Sequence, residues 1–271
     1  MSTRISALFE RLRKDGRKAL VAYLTAGHPH PDRTAALVEA MERGGADLIE
    51  LGVPFSDPIA DGPVIQRAGY RAIEAGTNLR RVLRIASEIR DKSEIPLLLF
   101  TYLNPVMRYG FEKLAADAKA SGIDGCLLTD ASVEEAEQYV QVMRGAGLDT
   151  VFLAAPTSTP RRLELVAKYS SGFIYLVSRT GVTGERSTIS ASVRPLVAAM
   201  RQHTDLPLAV GFGVSTPEQV AEIGRDADGV VVGSAIVSLI ERNRENPSLE
   251  IQLESFIREL KHGFQLAARG A

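Results

Sequence analysis

Residues 47–63 read DLIELGVPFSDPIADGP, and after Asp47 this short stretch carries three more carboxylates, Glu50, Asp57 and Asp61. Glu50 lies in an apolar run, and a carboxylate among such neighbours loses solvation, which raises its pKa toward the range useful for proton transfer. Asp61 lies in the next segment, whose three prolines lower the entropic cost of holding a side chain in place. We interpret Glu50 and Asp61 as an acid/base pair. The alternatives are a satisfied buried carboxylate and a turn residue, and Asp57 is more typical of a turn.

Two glycine-rich turns form a second candidate site. Gly211-Phe212-Gly213 ends one apolar run, and Gly233-Ser234 ends the next. Glycine lets backbone N–H groups approach an anion closely, and Ser234 is predicted to cap a helix over residues 235–241, whose N-terminus also favours negative charge. A single Gly-x-Gly is weak evidence, but turns of this kind after two consecutive strands predict a phosphate site.

Eight short apolar segments, separated by helical patterns, must position these residues. One holds Glu50, and the others cover residues 19–24, 97–101, 125–129, 150–153, 173–177, 208–211 and 230–233. Continuous apolar runs that alternate with helices favour a parallel sheet buried on both faces. Eight such units in 271 residues predict a TIM (β/α)8 barrel, with residues 1–271 as a single domain. In the Glu50 strand, Leu48, Glu50 and Gly52 are predicted to share one face and Ile49 and Leu51 the other.

Helical patterns complete the predicted barrel. An extra N-terminal helix precedes the first strand, because Ile5, Leu8, Phe9 and Leu12 recur at helical spacing. A helix over residues 32–43 follows the first strand. A stripe of apolar residues between Leu253 and Phe264 predicts a final helix packed on the outside of the barrel.

Composition limits the possible classes of function. The formal net charge is −1, with acidic and basic residues interspersed, which argues against a nucleic-acid-binding protein. Cys126 is the single cysteine, so no internal disulfide can form and a reducing compartment is expected. Neither a leader pattern nor an 18-residue apolar run occurs, so we expect a cytoplasmic protein that does not bind membranes.

Two common kinds of carbon–carbon lyase would need residues that this sequence does not place suitably. An imine-forming lyase needs a lysine inside the barrel, but no lysine falls within a predicted strand. The histidines form a poor metal-ligand pattern, because two share a loop, where they are usually solvated, and two lie in or beside helices: His28, His30, His203 and His262. What remains is acid/base chemistry on a phosphorylated substrate, without a metal or an organic cofactor.

The segment after the sixth strand, SRTGVTGERS at residues 178–187, fits either a mobile lid or a solvated surface loop. Arg179 at its start is compatible with holding the lid over an anion or with a solvated role. Tyr175 fits either an inward hydroxyl donor or a packed core residue. Tyr23 and Phe212, near strand ends, fit either a pocket for a flat ring or the barrel core.

Four sequence motifs together resemble those of a known enzyme family. ELGVPFSDPIADGP at residues 50–63, YLNP at 102–105, SRTGVTG at 178–184 and GFGV at 211–214 resemble the tryptophan synthase alpha subunit family, in order and over essentially the whole chain. The resemblance implies a TIM barrel that cleaves indole-3-glycerol phosphate to indole and glyceraldehyde 3-phosphate. It also implies that this chain needs no cofactor. A beta subunit with pyridoxal phosphate would receive indole through a tunnel in an αββα heterotetramer.

The same resemblance implies roles for individual residues. Catalytic positions match Glu50 and Asp61. Phosphate-binding positions match Gly184, Gly213, Gly233 and Ser234. Ring-pocket and lid positions match Tyr23, Phe212, Tyr175, Arg179 and Thr183.

The acidic loop and the turn at residues 102–105 would face the partner. Two positions depart from the family's usual pattern. His28 stands where the family often has Asp, and Ala131-Ser132 follows Asp130 where the family commonly has a proline-containing turn.

The runner-up functions are another phosphate-binding barrel of aromatic amino-acid biosynthesis, an isomerase or a ring-closing synthase, and a non-catalytic barrel that only activates a partner. A ring-closing synthase would be expected to use a strand lysine. Indole release from indole-3-glycerol phosphate by the purified chain separates these functions.

Overall fold

Parallel strands surrounded by helices form a nearly closed barrel in the computed structural model, which describes residues 3–177, 189–211 and 213–269. The strands are β1 Ala19–Thr25, β2 Leu48–Gly52, β3 Leu97–Thr101, β4 Gly125–Leu128, β5 Asp149–Val151, β6 Leu153–Ala154, β7 Ile174–Val177, β8 Leu208–Gly211 and β9 Gly229–Val232. The predicted TIM barrel is therefore confirmed.

Helices cover the outside of the sheet and both ends of the chain. They are α1 Arg4–Lys14, α2 Thr34–Gly44, α3 Pro63–Glu74, α4 Leu79–Arg90, α5 Leu103–Tyr109, α6 Phe111–Ala120, α7 Glu137–Gly145, α8 Pro160–Tyr169, α9 Ile189–Arg201, α10 Pro217–Gly224, α11 Ser234–Arg242 and α12 Leu249–Arg269. Short 3₁₀ turns cover Pro31–Arg33 and Val133–Glu135. Within the described ranges, no helix has the length and apolar run needed to cross a bilayer.

The fifth predicted strand is divided in two. The strand order is β5-β4-β3-β2-β1-β9-β8-β7-β6, so β5 and β6 lie at the two ends of the sheet, with Phe152 between them in the chain. β5 pairs with β4 and β6 with β7, while the Tyr175 N–H donates to the Phe152 carbonyl at 3.1 Å. One bent segment thus joins the sheet ends, and the barrel has eight structural units with nine strands.

The strands alternate their side chains between the barrel interior and the helices. Leu48 belongs to the inner apolar cluster, whereas Ile49 and Leu51 belong to the outer cluster that packs under the helices. Glu50, between those two outward residues, therefore faces inward as predicted. A carboxylate at this position enters the barrel instead of the sheet–helix interface.

The predicted N-terminal helix closes one end of the barrel. Ile5, Leu8, Phe9 and Leu12 of α1 are buried in the same cluster as Leu48. The rings of Phe9 and Phe173 lie 5.5 Å apart. The predicted C-terminal helix is α12, which packs against α2 and α10. The helix predicted over 32–43 is preceded by the 3₁₀ turn and runs to Gly44.

A buried carboxylate near the closed end has several partners. Asp124 accepts hydrogen bonds from Arg4 at 3.1 Å, Arg90 at 3.3 Å and the Leu97 N–H at 2.9 Å. Arg4 ties α1 to the barrel through this carboxylate, and Arg90 ties the end of α4 to it. Asp124 is therefore a structural cross-link between helix α1, the sheet and helix α4.

Candidate active site

Three polar side chains project into the open end of the barrel, where the strands reach their carboxyl ends. They are Tyr23 on β1, Glu50 on β2 and Tyr175 on β7. A Cβ at Gly52 would overlap the Tyr23 hydroxyl, and one at Gly211 would overlap the Tyr175 hydroxyl. The two glycines therefore provide the space that both phenols occupy, and they permit a polar layer above an apolar core.

Glu50 is a buried carboxyl group in the interior of the barrel mouth. Its side chain is 1% exposed, and Oε1 has no hydrogen-bond partner among the described residues. Burial raises the pKa of Glu50 to about 8, because the charged form would lose its hydration. At neutral pH the carboxyl is therefore mostly protonated, in the form that can donate a proton.

Asp61 sits in the loop between β2 and α3 and is held by Tyr102. The Tyr102 hydroxyl donates to Asp61 Oδ2 at 2.9 Å and accepts from the Ala60 N–H at 3.1 Å. Gln66 donates to the Asp61 carbonyl at 2.9 Å. Burial raises the pKa of Asp61 to about 6, and the hydrogen bond from Tyr102 opposes that rise. Asp61 is therefore mostly ionised at neutral pH, unlike Glu50.

Tyr23 lies within the electrostatic influence of both carboxyl groups. Burial, and then the charges of Asp61 and Glu50, raise the pKa of its hydroxyl above the ordinary value. Burial followed by the charge of Glu50 raises the pKa of Tyr175 as well. The Tyr23 ring meets the Phe100 ring edge-on, with centroids 5.2 Å apart. The two acids and two phenols thus share one chamber with an aromatic wall.

The second glycine-rich turn lies beside this chamber. Gly233 is the N-cap of α11, and a Cβ on it would lie 3.5 Å from Cβ of Tyr23. Gly213 has φ +80°, a left-handed conformation that favours glycine. The prediction that Ser234 caps the helix is wrong, because the helix begins one residue earlier than expected. Ser234 is the first residue of the helix, and Gly233 is its N-cap. Because glycine has no side chain to accept a hydrogen bond, N–H groups of the first turn are available to an anion.

Four predicted site residues lie outside the described part of the chain: Arg179, Thr183, Gly184 and Phe212. The segment predicted as a lid, residues 178–187, lies there as well. The candidate site that the structure describes therefore consists of Tyr23, Glu50, Asp61 and Tyr175, with Gly213, Gly233 and Ser234 at the glycine-rich turns.

The expectation of solvated loop histidines is wrong for His28. Its side chain is 1% exposed, and Nε2 lies 3.2 Å from Oε2 of Glu241 on α11. Burial lowers the pKa of His28 to about 4, although Glu241 opposes the change. His30 is exposed and lies beside Asp32. No group of three potential metal ligands occurs among the described residues.

Tyr102 is a residue in contact with the candidate site that the sequence did not reveal, since the motif there indicated only a partner-facing turn. The signal was present in the alternation of β3. Leu98 and Phe100 face the barrel interior, and Tyr102 is the next residue in that series. Its side chain is 2% exposed, and its ring lies 5.1 Å from that of Phe55.

A cleft of about 840 Å³ lies at the opposite end of the molecule, between α1 and the N-terminal ends of the strands. Arg13, Arg17 and Arg201 line it, and no predicted site residue does. In barrels of this kind, chemistry takes place at the carboxyl ends of the strands. We therefore place the candidate site at the mouth and not in this cleft.

The barrel, with acid/base groups at the carboxyl ends of its strands, defines the class as a (β/α)8-barrel enzyme. Comparison with known proteins shows to which family of barrel enzymes the chain belongs. The family model described as tryptophan synthase alpha chain matches residues 9–265. The chain belongs to the tryptophan synthase alpha chain family.

Individual relatives and solved structures indicate the same family. The chain is 72% identical to the tryptophan synthase alpha chain of Solibacter usitatus over 97% of this chain and 98% of that one. It is 49% identical to the alpha chain of Geotalea uraniireducens, with 96% and 97% covered. The crystal structure of tryptophan synthase subunit alpha from Legionella pneumophila has a TM-score of 0.91 at 32% identity, covering 98% of this chain and 100% of that one. A structure of Mycobacterium tuberculosis tryptophan synthase gives a TM-score of 0.88 at 36% identity, with 97% and 98% covered.

Membership gives the reaction. The chain is a carbon–carbon lyase of tryptophan biosynthesis that cleaves indole-3-glycerol phosphate to indole and glyceraldehyde 3-phosphate, and indole passes to the beta chain. The alpha chain uses no cofactor for this step, whereas pyridoxal phosphate belongs to the beta chain.

Proposed function

We propose that Glu50 and Asp61 carry out this retro-aldol cleavage at the mouth of the barrel. The observation that carries the proposal is the state of Glu50, a buried carboxyl group that faces into the chamber and whose Oε1 has no hydrogen-bond partner among the described residues. A structural carboxylate would have hydrogen bonds or an ion pair to offset its desolvation. A proton-transfer group gains from the same environment, because burial moves its pKa toward neutral pH.

The two acids suit different steps because their pKa values differ. Cleavage needs an electron sink, which protonation of indole C3 creates by converting the ring to an indolenine. Protonated Glu50, with a pKa of about 8, supplies this proton. As a carboxylate it then takes the proton of the glycerol hydroxyl, the carbon–carbon bond breaks, and the aldehyde and indole form. Glu50 ends the cycle protonated, so no net proton is consumed.

Asp61 stabilises the charge that develops on the ring. Its Oδ2 already accepts the Tyr102 hydrogen bond, and its Oδ1 is not engaged in any hydrogen bond within the described residues. An ionised Asp61 can therefore accept the indole N–H through Oδ1 while positive charge accumulates on the ring nitrogen. Such a preorganised partner acts most strongly in a chamber from which water is excluded.

The glycine-rich turns bind the substrate phosphate in this proposal. Gly213, Gly233 and Ser234 supply backbone N–H groups, and Gly184 joins them from the segment after β7. Phosphate binding far from the breaking bond fixes the orientation of the ring and the glycerol chain. Closure of the segment that carries Arg179 and Thr183 would exclude water.

The indole ring occupies the aromatic side of the chamber. Tyr23 lies on β1 directly beside Glu50, Tyr175 lies on β7, and Phe212 is the residue that follows β8 in the sequence. The edge-on packing of Phe100 against Tyr23 supports a flat apolar slot. A ring held there would place C3 within reach of Glu50 and its N–H toward Asp61.

We further propose that the whole chain acts as one barrel domain in the cytoplasm and joins a beta chain in an αββα heterotetramer. Ile59, in the loop before α3, is 75% exposed, and Met107 on α5 is 63% exposed. Both are large apolar side chains at the open end of the barrel, where a partner would receive indole. Asp130 accepts the Leu103 N–H at 2.7 Å, so α5 is anchored although no proline follows Asp130.

Asp57 provides a test of this partner surface. Its side chain is exposed in the same loop as Ile59. Asp57→Ala is expected to leave indole release by the isolated chain nearly unchanged and to reduce the stimulation given by the beta chain. Equal stimulation of the variant and the unaltered chain would remove Asp57 from the interface.

The primary experiment is an assay of the purified chain with indole-3-glycerol phosphate. Indole and glyceraldehyde 3-phosphate are expected in equal amounts without added metal or cofactor. Glu50→Gln and Asp61→Asn serve as active-site controls, and Glu88→Gln as an exposed control on α4. Cleavage that survives the Glu50 and Asp61 substitutions would contradict the assigned roles.

A further inference from the structure

Tyr102 connects three parts of the mouth that are distant in sequence. It follows the end of β3 and precedes α5, yet its hydroxyl reaches across to the loop between β2 and α3. The bond to Asp61 spans 41 positions of sequence. Because the side chain is 2% exposed, water competes little for these contacts.

The hydroxyl acts in both hydrogen-bond directions at once. It accepts the Ala60 N–H at 3.1 Å and donates its own proton to Asp61 Oδ2 at 2.9 Å. The first contact fixes the loop backbone beside Asp61, and the second fixes the carboxylate. A phenol that accepts from a backbone N–H has its proton directed toward a remaining acceptor, so the two contacts favour each other.

The tyrosine is itself held firmly. Its ring packs against Phe55, with centroids 5.1 Å apart, and Phe55 belongs to the same loop as Asp61. On the other side, the Leu103 N–H is bonded to Asp130 at 2.7 Å, which fixes the start of α5. Tyr102 is therefore a rigid support between the barrel and the acidic loop.

We propose that Tyr102 is a positioning residue for the cleavage reaction: its hydroxyl holds Asp61 Oδ2, leaves Oδ1 directed toward the substrate ring, and keeps Asp61 in its ionised form. This inference rests on the role proposed for Asp61. Tyr102 touches no reacting atom, so it acts only through the orientation and protonation of that carboxylate. The hydroxyl stabilises the charged form, because a donated hydrogen bond is stronger to a carboxylate than to a neutral acid.

Loss of the Tyr102 hydroxyl is expected to shift the pH dependence of kcat/KM in one direction. Burial raises the pKa of Asp61 to about 6, and the Tyr102 hydrogen bond lowers it from what burial alone would give. Other charged or titratable groups that face this network are Glu50 and Tyr23. Removing the hydroxyl raises the pKa of Asp61, so the acidic limb of the kcat/KM profile moves to higher pH.

The test compares Tyr102→Phe with Tyr139→Phe. The control removes another buried hydroxyl, one that donates to the Cys126 carbonyl at 3.1 Å, away from the mouth. A carboxyl ¹³C NMR titration without substrate, with the Asp61 signal identified by its loss in Asp61→Asn, is expected to give a midpoint about one pH unit higher in Tyr102→Phe. Tyr139→Phe is expected to leave the midpoint unchanged.

Kinetics provide the second readout. For a one-unit shift, kcat/KM of Tyr102→Phe falls roughly fivefold at pH 6 and less than about twofold at pH 8, relative to the unaltered chain. An equal loss at all pH values, with an unchanged NMR midpoint, would overturn the inference. The titration uses no substrate, so its result is independent of whether Asp61 takes part in cleavage.

A second variant covers the case in which Tyr102→Phe does not fold. Replacing Tyr102 by 3,5-difluorotyrosine keeps the ring and makes the hydroxyl a stronger donor. The Asp61 midpoint is then expected to move down, opposite to the phenylalanine variant. A midpoint that does not move, or moves up, would also overturn the inference.

Discussion

Asp124 and Glu50 are both buried carboxyl groups on the same barrel, at opposite ends of it. Asp124 is 4% exposed and accepts hydrogen bonds from two arginines and a backbone N–H. Glu50 is 1% exposed, and its Oε1 has no partner in the described residues. Burial alone therefore does not define the role of a carboxylate. The partners that accompany burial separate a cross-link of the fold from a group that exchanges protons.

The two carboxyl groups also differ in how their burial affects the stability of the fold. Arg4 and Arg90 pair with Asp124 and offset the cost of burying it, so this carboxyl group cross-links the closed end. Within the part of the chain that the structure describes, Glu50 forms no ion pair, and its burial favours the neutral form instead. The open end of the barrel therefore holds a group whose burial costs stability, as expected for the proton-transfer role that we propose, while the carboxyl group at the closed end has partners that make it a cross-link of the fold.

The largest expected effect is loss of turnover when Glu50 is replaced. Glu50→Gln keeps the shape of the side chain but cannot exchange the proton, so kcat is expected to fall on the order of 10³-fold. Binding of indole-3-glycerol phosphate, measured by calorimetry, is expected to stay close to that of the unaltered chain. Turnover within tenfold of normal would place Glu50 with Asp124 as a structural carboxylate.

The converse substitution is Asp124→Asn at the closed end. It removes the ion-pair partner of Arg90 and leaves Arg4 with Glu94 alone, and we expect a loss of about 3 kcal/mol in the free energy of unfolding. Since the residue lies far from the mouth, kcat/KM of the folded variant is expected to change less than about twofold. Urea unfolding and the indole assay measure the two quantities. A large kinetic loss with normal stability would contradict the division between the two ends.

Asp61→Asn sharpens the comparison within the mouth. Asparagine is isosteric, but it cannot balance the positive charge on the ring nitrogen, so kcat/KM is expected to fall on the order of 10²-fold. The exposed control Asp57→Asn is expected to retain activity in the isolated chain. A loss below tenfold for Asp61→Asn would show that its charge matters little for the transition state.

The smallest expected effect is a gain in stability from Glu50→Gln. The folded pKa of about 8 lies above the ordinary value of 4.5, so the folded chain binds more protons than the unfolded chain between these values. Stability of the unaltered chain therefore falls as pH rises from about 4.5 to 8, and the variant escapes this loss. We expect the advantage to be larger at pH 8 than at pH 5.

Urea unfolding at both pH values measures this advantage, with Glu88→Gln as the exposed control. An advantage for Glu50→Gln that is the same at pH 5 and pH 8 would mean that Glu50 does not titrate differently in the folded and unfolded chains.

The inward position of Glu50 was predictable from sequence because it depends on local alternation. Leu48 and Ile49 fix the faces of β2, and the apolar run fixes the strand. The glycine-rich turns were equally readable, although the N-cap position fell on Gly233 and not on Ser234. Features set by two or three consecutive residues are thus recoverable without coordinates.

The contacts that hold the site were not predictable, because they depend on how distant segments fold over one another. The Tyr102–Asp61 bond requires the loop after β2 to cross to the end of β3. His28 is buried because α11 lies against the turn after β1 and places Glu241 beside it. The break at Phe152 follows from closure of the sheet, which no single strand encodes.

The most direct test of the account is an infrared difference titration of the unaltered chain against Glu50→Gln, without substrate. A protonated carboxyl band, absent from the variant, is expected to persist through neutral pH and to disappear with a midpoint near 8. A Glu50 that is already ionised at pH 6 would contradict this expectation, because the mouth would then hold a stabilised carboxylate and not a proton donor.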